Sequence, residues 1–223
     1  MSDALTLSNV NKTYRNNSRQ VAALNNINLQ VPERNFLCIV GPSGSGKTTL
    51  LRVSAGYLAP DNGDVTIFGQ DLYSLPISER MNLRKNVIGF LFQGDQLLED
   101  LTAYENVELP LIIQGMSTEL RRERVHQALK SVGIPKLADS RPSEVSGGEK
   151  RRISLARSLI NGARILFADE PTSNLDTKTA GMIIQVLRNL NASGMTIIAA
   201  THDPLTASEA STVVKMRDGK IES

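Results

Sequence analysis

The stretch GPSGSGKT, Gly41–Thr48, constrains this chain more than any other. It follows a short apolar run, FLCIV (36–40), and opens a helix-like segment, TLLRVSAG. It satisfies G-x-x-x-x-G-K-[ST] at every fixed position, in the strand-before, helix-after context that the pattern requires. The glycines Gly41, Gly44 and Gly46, with Pro42, Ser43 and Ser45 between them, let successive backbone N–H groups curl around phosphate oxygens. The N-terminus of the following helix adds its positive end. Lys47 is placed to reach β- and γ-phosphates, the Thr48 hydroxyl to ligate Mg²⁺, and Thr49 to line the same site. A loop of this kind works only at the end of a buried strand, so the rest of the chain is expected to supply a parallel sheet.

It does so by pattern. Residues 5–10 and 24–31 alternate apolar and polar and read as strands. GDVTIFG (63–69), VIGFLF (87–92), RILFAD (164–169) and MTIIAAT (195–201) read as further strands. A helix is expected over 118–133 and another over about 177–192. VVKMRDGKI (213–221) reads as a hairpin turning at Asp218-Gly219. Strands alternating with helices argue for an α/β fold with a mainly parallel sheet, and the stretch from about 94 to 160 reads as an inserted helical lobe. The lone cysteine, Cys38, lies in an apolar run and reads as core; it excludes an intrachain disulfide framework and a Cys-cluster zinc site. A net charge of +2 gives no argument for nucleic acid. The first residues lack a basic start followed by an apolar run, so no secretory signal is expected, and no stretch reaches a membrane span of about 18 apolar residues.

Three further segments carry chemistry. In RILFADE a buried strand ends at Asp169, followed by Glu170. Acidic groups at that edge point at the phosphate crevice. Asp169 is suited to hold Mg²⁺ through water, and Glu170 to polarise an attacking water. His202 and Gln93 also follow strands; there His202 can contact the γ-phosphate or orient the water, and Gln93 can reach the metal or the water. His126 sits amid helix charge and reads as structural. So do Arg121, Arg122 and Arg124, interleaved with Glu119 and Glu123 on a solvated face. The third segment is EVSGGEKRR (144–152). Ser146 and Glu149 fit a capping box. Gly147 and Gly148 do not follow from capping, since each costs about 1 kcal/mol against alanine inside a helix. Glycine is favoured where a backbone must approach something closely.

The order phosphate loop, Gln93, VSGGE (145–149), ILFADE (165–170), SNLD (173–176) and His202 resembles the nucleotide-binding subunit of ATP-binding cassette (ABC) transporters, over essentially the whole chain. The resemblance implies a P-loop NTPase core with an N-terminal antiparallel β subdomain and an inserted helical subdomain, in one domain over 1–223. It implies ATP and Mg²⁺ as ligands, Tyr14 stacking on adenine and Gln93 sensing the γ-phosphate and touching the membrane subunit. Glu170 becomes the catalytic carboxylate, His202 the switch histidine, and Asp176 part of a loop crossing a dimer interface. VSGGE matches the family signature: two copies pack head to tail, and Ser146, Gly147, Gly148 and Glu149 of one close over ATP held by the other. Val145, Glu149 and Asn35 depart from the usual residues without touching the phosphate contacts. FLFQGDQLLEDLTAYENVELPLIIQGMS and FADEPTSNLDTKTA further resemble the lipoprotein-release, macrolide-export and cell-division group. That group implies a membrane permease partner with a large extracytoplasmic domain, and a place on the cytoplasmic face of the membrane. ENVELPL, just after Gln93, falls where that family's groove accepts a permease helix. No nucleic-acid partner is expected. An importer subunit for a small solute, a soluble ABC-type ATPase and an ATP-binding regulator without hydrolysis are the alternatives at this stage.

Overall fold

A computed structural model describes residues 2–16 and 19–222. The strands are β1 (Asp3–Asn16), β2 (Arg19–Pro32), β3 (Phe36–Val40), β4 (Asn62–Ile67), β5 (Gln70–Asp71), β6 (Ile88–Leu91), β7 (Ile165–Asp169), β8 (Thr196–Thr201), β9 (Thr212–Arg217) and β10 (Lys220–Glu222). The helices are α1 (Lys47–Ser54), α2 (Ile77–Asn86), α3 (Ala103–Ile113), α4 (Thr118–Ser131), α5 (Gly147–Leu159), α6 (Thr177–Ala192) and α7 (Pro204–Ser208).

They build two sheets. One is antiparallel, ordered β2-β1-β4-β5; the other runs β10-β9-β3-β8-β7-β6 and is parallel except for β10. The parallel strands are short and apolar because both faces are covered. Alternation along each strand divides the core in two. Leu37, Ile39, Ile165, Phe167 and Ile198 face α1 and the antiparallel sheet. Phe36, Leu166, Ala168, Ile197 and Ala199 face the helices α3 to α6. Cys38 is buried among them, and burial pushes its thiol up to about 12, as expected of an unreactive core residue. The closing hairpin turns at Asp218-Gly219, both at positive φ (47° and 74°), the geometry that Asp-Gly favours.

β1 and β2 extend well beyond the alternating segments legible in the sequence. Register shifts interrupt their pairing, with Asn9 and Asn26 both at φ 53°. Bulges break the period that marks a strand, which is why only parts of each were visible. α2 was not anticipated. Only Leu83 of it is buried, so it has almost no apolar face to read. Arg121 corrects an expectation. Rather than facing solvent it bonds Glu108 at 2.8 Å and the Met116 carbonyl, tying α4 to α3. His126 is exposed beside the Tyr104 ring.

Candidate active site

Four parallel strands deliver the predicted residues to one edge of the sheet. Gly41 follows β3, Gln93 follows β6, Glu170 follows β7 and His202 follows β8. Registers Val40↔Thr201, Asp169↔Ala200 and Leu91↔Ala168 hold those strand ends level. In an open α/β sheet this carboxyl edge is where ligands bind.

Asp169 continues the face of Ile165 and Phe167, against which α1 packs. It therefore meets α1, and the Thr48 hydroxyl donates to its Oδ1 at 3.0 Å. Burial pushes the Asp169 carboxyl above its ordinary range, with Glu170 adding to the rise and the Thr48 bond opposing it. A hydroxyl beside a buried carboxylate is a hard oxygen donor set suited to Mg²⁺. The loop itself leaves little room. A Cβ on Gly41 would come within 2.1 Å of the Met216 carbonyl, and one on Gly46 within 2.3 Å of that of Ala23. Gly46 sits at φ 105° and α1 has no side-chain cap, so its first N–H groups lack a side-chain partner. Ser45 Oγ is buried with no hydrogen-bond partner, an orphaned polar atom inside the cradle. Lys47 Nζ donates to the carbonyls of Gly41 and Pro42. Pro42, Ser43 and Gly44 are exposed along the rim. A curled loop with unmet donors and a lysine folded over it fits a polyphosphate. Tyr14 is exposed at its margin, its hydroxyl 3.4 Å from Thr49 Oγ1.

Glu170 is the strained member. Its φ is 46°, a left-handed conformation costing a non-glycine residue on the order of 1–3 kcal/mol. The kink ends the strand and turns the carboxylate back to β8. Thr201 Oγ1 donates to Oε2 at 3.1 Å and His202 Nδ1 lies 3.0 Å from Oε1. Thr201 Oγ1 in turn accepts from the Asp203 backbone N–H. A carboxylate oriented by a hydroxyl and an imidazole is arranged to accept a proton from water. His202 and Gln93 are both exposed, free to move toward a ligand.

The signature residues lie elsewhere. Ser146 caps α5: its hydroxyl accepts from the Glu149 N–H, and Glu149 Oε2 accepts from the Ser146 N–H at 2.8 Å. Asp176 caps α6, accepting from Thr179 N and Oγ1. Among the described residues no hydrogen bond joins Ser146–Glu149 or Asp176 to the phosphate loop. The two glycines turn out to differ. A Cβ on Gly148 would lie 1.9 Å from Thr179 Cγ2, so contact between α5 and α6 already demands a glycine there. A Cβ on Gly147 would meet only Leu175 at an ordinary 3.8 Å. Gly147 is exposed, and nothing in its own chain requires it to be glycine.

Sequence reading missed Thr201, and it missed Arg151, whose buried guanidinium touches both the Gln93 and Glu170 segments. The spacing of Gly148, Arg151 and Leu155 marks one buried face of α5 and was the available signal.

Residues 24–173 match the family described as ABC transporter. An uncharacterised ABC transporter ATP-binding protein of Methanocaldococcus jannaschii is 41% identical over 213 residues, 96% of this chain and 95% of that protein. A macrolide export ATP-binding/permease protein, MacB, of Psychrobacter arcticus is 40% identical over 94% of this chain, which spans only 32% of that relative's length. A dimeric, post-hydrolysis structure of the ATP-binding cassette MJ0796 bound to ADP and Pi superposes with a TM-score of 0.91 at 39% identity, covering 98% of this chain and 97% of that one.

Proposed function

The chain belongs to the ABC transporter family, and from that premise we propose that two copies bind two ATP–Mg²⁺, close head to tail, hydrolyse the nucleotide and drive a membrane permease. The observation that carries this reading is the convergence of the uncapped α1 terminus, the Thr48–Asp169 pair and the Glu170–His202 pair on one sheet edge.

Tyr14 stacks on adenine. The 41–48 loop with Lys47 and Thr49 holds the phosphates. Thr48, Asp169 (through water) and Gln93 would hold the metal, which would supply charge neutralisation for phosphoryl transfer. Glu170 accepts the proton of the attacking water, and His202, at 3.0 Å, orients it and the γ-phosphate. Ser146, Gly147, Gly148 and Glu149 of the second copy complete each site, with Asp176 at the interface. The dimeric form of the ATP-binding cassette MJ0796 supports this arrangement.

No helix among the described residues is long and apolar enough to cross a membrane. We infer that the chain works at the cytoplasmic face of the membrane, held there through its permease partner, a reading that its likeness to a macrolide export ATP-binding/permease protein supports. A groove of about 800 Å³ runs between α2, β6 and α3, lined by Tyr57, Met81, Phe92, Pro110 and Ile113. Met81 and Ile113 are exposed apolar residues on its walls, and we assign it to an apolar coupling segment of the permease. The likeness to MacB, a macrolide export ATP-binding/permease protein, favours an exporting permease; a force-transmitting permease with a large extracytoplasmic domain is our proposal, resting on the sequence resemblance alone.

The test is Glu170→Gln. With ATP it should elute as a dimer from a sizing column, bind nucleotide and have almost no turnover. A species that stays monomeric at high concentration, or one that keeps most of its turnover, overturns the assignment.

A further inference from the structure

Arg151 is only 3% exposed, on the inner face of α5. A guanidinium has five N–H donors. Here all are used, and every acceptor is a main-chain carbonyl: Nε to Pro171, Nη1 to Phe92 and Gly94, Nη2 to Asp169 and Glu170. The distances run from 2.6 to 3.3 Å. Two of the acceptors flank Gln93; the other three belong to the turn that carries Glu170. Asp95, 3.8 Å away, is the nearest counter-charge. One side chain thus joins the signature helix to the two segments that must act together on the γ-phosphate. It also holds the carbonyl of Glu170, a non-glycine residue at positive φ. Among the described residues, no hydrogen bond of the Arg151 side chain reaches the phosphate loop or Tyr14.

We propose that Arg151 is a positioning residue for hydrolysis, locking the Gln93 segment and the kinked Glu170 turn into one unit that moves with the signature helix. Its five-way geometry fixes the direction of the Glu170 carboxylate. Any displacement of the Gln93 segment, including one imposed at the neighbouring groove, passes through the guanidinium to that carboxylate. Lysine cannot substitute, because an ammonium has three donors and no planar fork. The proposal rests on Glu170 being the hydrolytic carboxylate.

The experiment compares Arg151→Lys, Arg151→Gln and Arg151→Met with the parent and with Glu170→Gln, in the full chain. It measures folded fraction, equilibrium ATP binding, steady-state kcat and KM, and single-turnover rates at high enzyme concentration. A displaced carboxylate should lower kcat of the folded Gln and Lys variants by about 10²-fold with ATP affinity within about threefold of the parent. Adding Arg151→Gln to Glu170→Gln should change the residual single-turnover rate less than about twofold, because the residue through which Arg151 acts is already gone. The proposal is overturned by kcat near the parent value, by kcat and ATP affinity falling together, by independent effects in the double variant, or by failure of all three variants to fold, which would make Arg151 a stability residue. If Glu170→Gln itself retains turnover, the reading of the site fails rather than the role of Arg151.

Discussion

The N-termini of α1 and α5 are both glycine-rich, and both are expected to face phosphate, yet they are built in opposite ways. At α1 the cap is Gly46 at φ 105°, no side chain serves the first N–H groups, and Ser45 Oγ is buried without a partner. At α5, Ser146 and Glu149 satisfy each other in a closed capping box at the surface. The first end is incomplete by itself and is finished by a ligand that one chain can bind. The second is complete in the single chain, so whatever it contacts must reach it from outside. In the proposed function, unmet donors inside a cradle and met donors on a surface are the two halves of a composite site, one resident and one presented.

The largest effect that tests this contrast is at Lys47. Lys47→Ala should lose ATP binding by about 10²-fold or more, since Lys47 is the cation that folds over the loop and bonds its carbonyls. Titration of nucleotide by calorimetry checks it, and retained binding would mean that the loop is not the resident half.

Next come the paired glycines. Gly148→Ala places a methyl 1.9 Å from Thr179 Cγ2 and should destabilise the chain by about 1–3 kcal/mol; Thr179→Ser should restore much of the loss. Gly147→Ala should leave the melting temperature unchanged and lower turnover, because only a partner's phosphate makes its bareness matter. Denaturant titration beside an ATPase assay separates the two. If Gly147→Ala melts early or hydrolyses normally, the division between inner and outer glycine is wrong.

The smallest effect distinguishes the carboxylates at the two ends. Burial holds Asp169 above its ordinary range, whereas hydrogen bonds from Ser146 hold Glu149 below it. For Asp169 the folded state disfavours ionisation. That penalty is absent below the unfolded carboxylate's pKa and complete once pH exceeds the folded one. For Glu149 the gain is present above the unfolded pKa and lost as pH falls through the folded one. Without nucleotide or metal, Asp169→Asn should therefore raise the melting temperature at neutral pH and Glu149→Gln lower it slightly. Both should approach the parent toward about pH 3. Thermal melts across pH check the signs.

The phosphate loop, the apolar strands and the residues at their ends were legible because each is a local pattern. Spacing within eight residues specifies GPSGSGKT, and a run of apolar residues specifies a strand covered on both faces. The capping box at Ser146 and the turn at Asp218-Gly219 are local in the same sense. The bulged ends of β1 and β2, the sparsely buried α2 and the α3–α4 bond of Arg121 were not, because nothing in their own segments announces them.

Sequence by itself determined which groups reach the sheet edge, since strand ends and helix caps follow from residue type and period. Tertiary structure alone decided how they are aimed. Gly148 is glycine because α6 lies against it, Glu170 is bent to positive φ and held by a hydroxyl and an imidazole from β8 and its exit, and Arg151 meets carbonyls about 20 and nearly 60 positions away. Such contacts depend on distances between segments that the chain order does not encode, and they exist only once the two cores have packed.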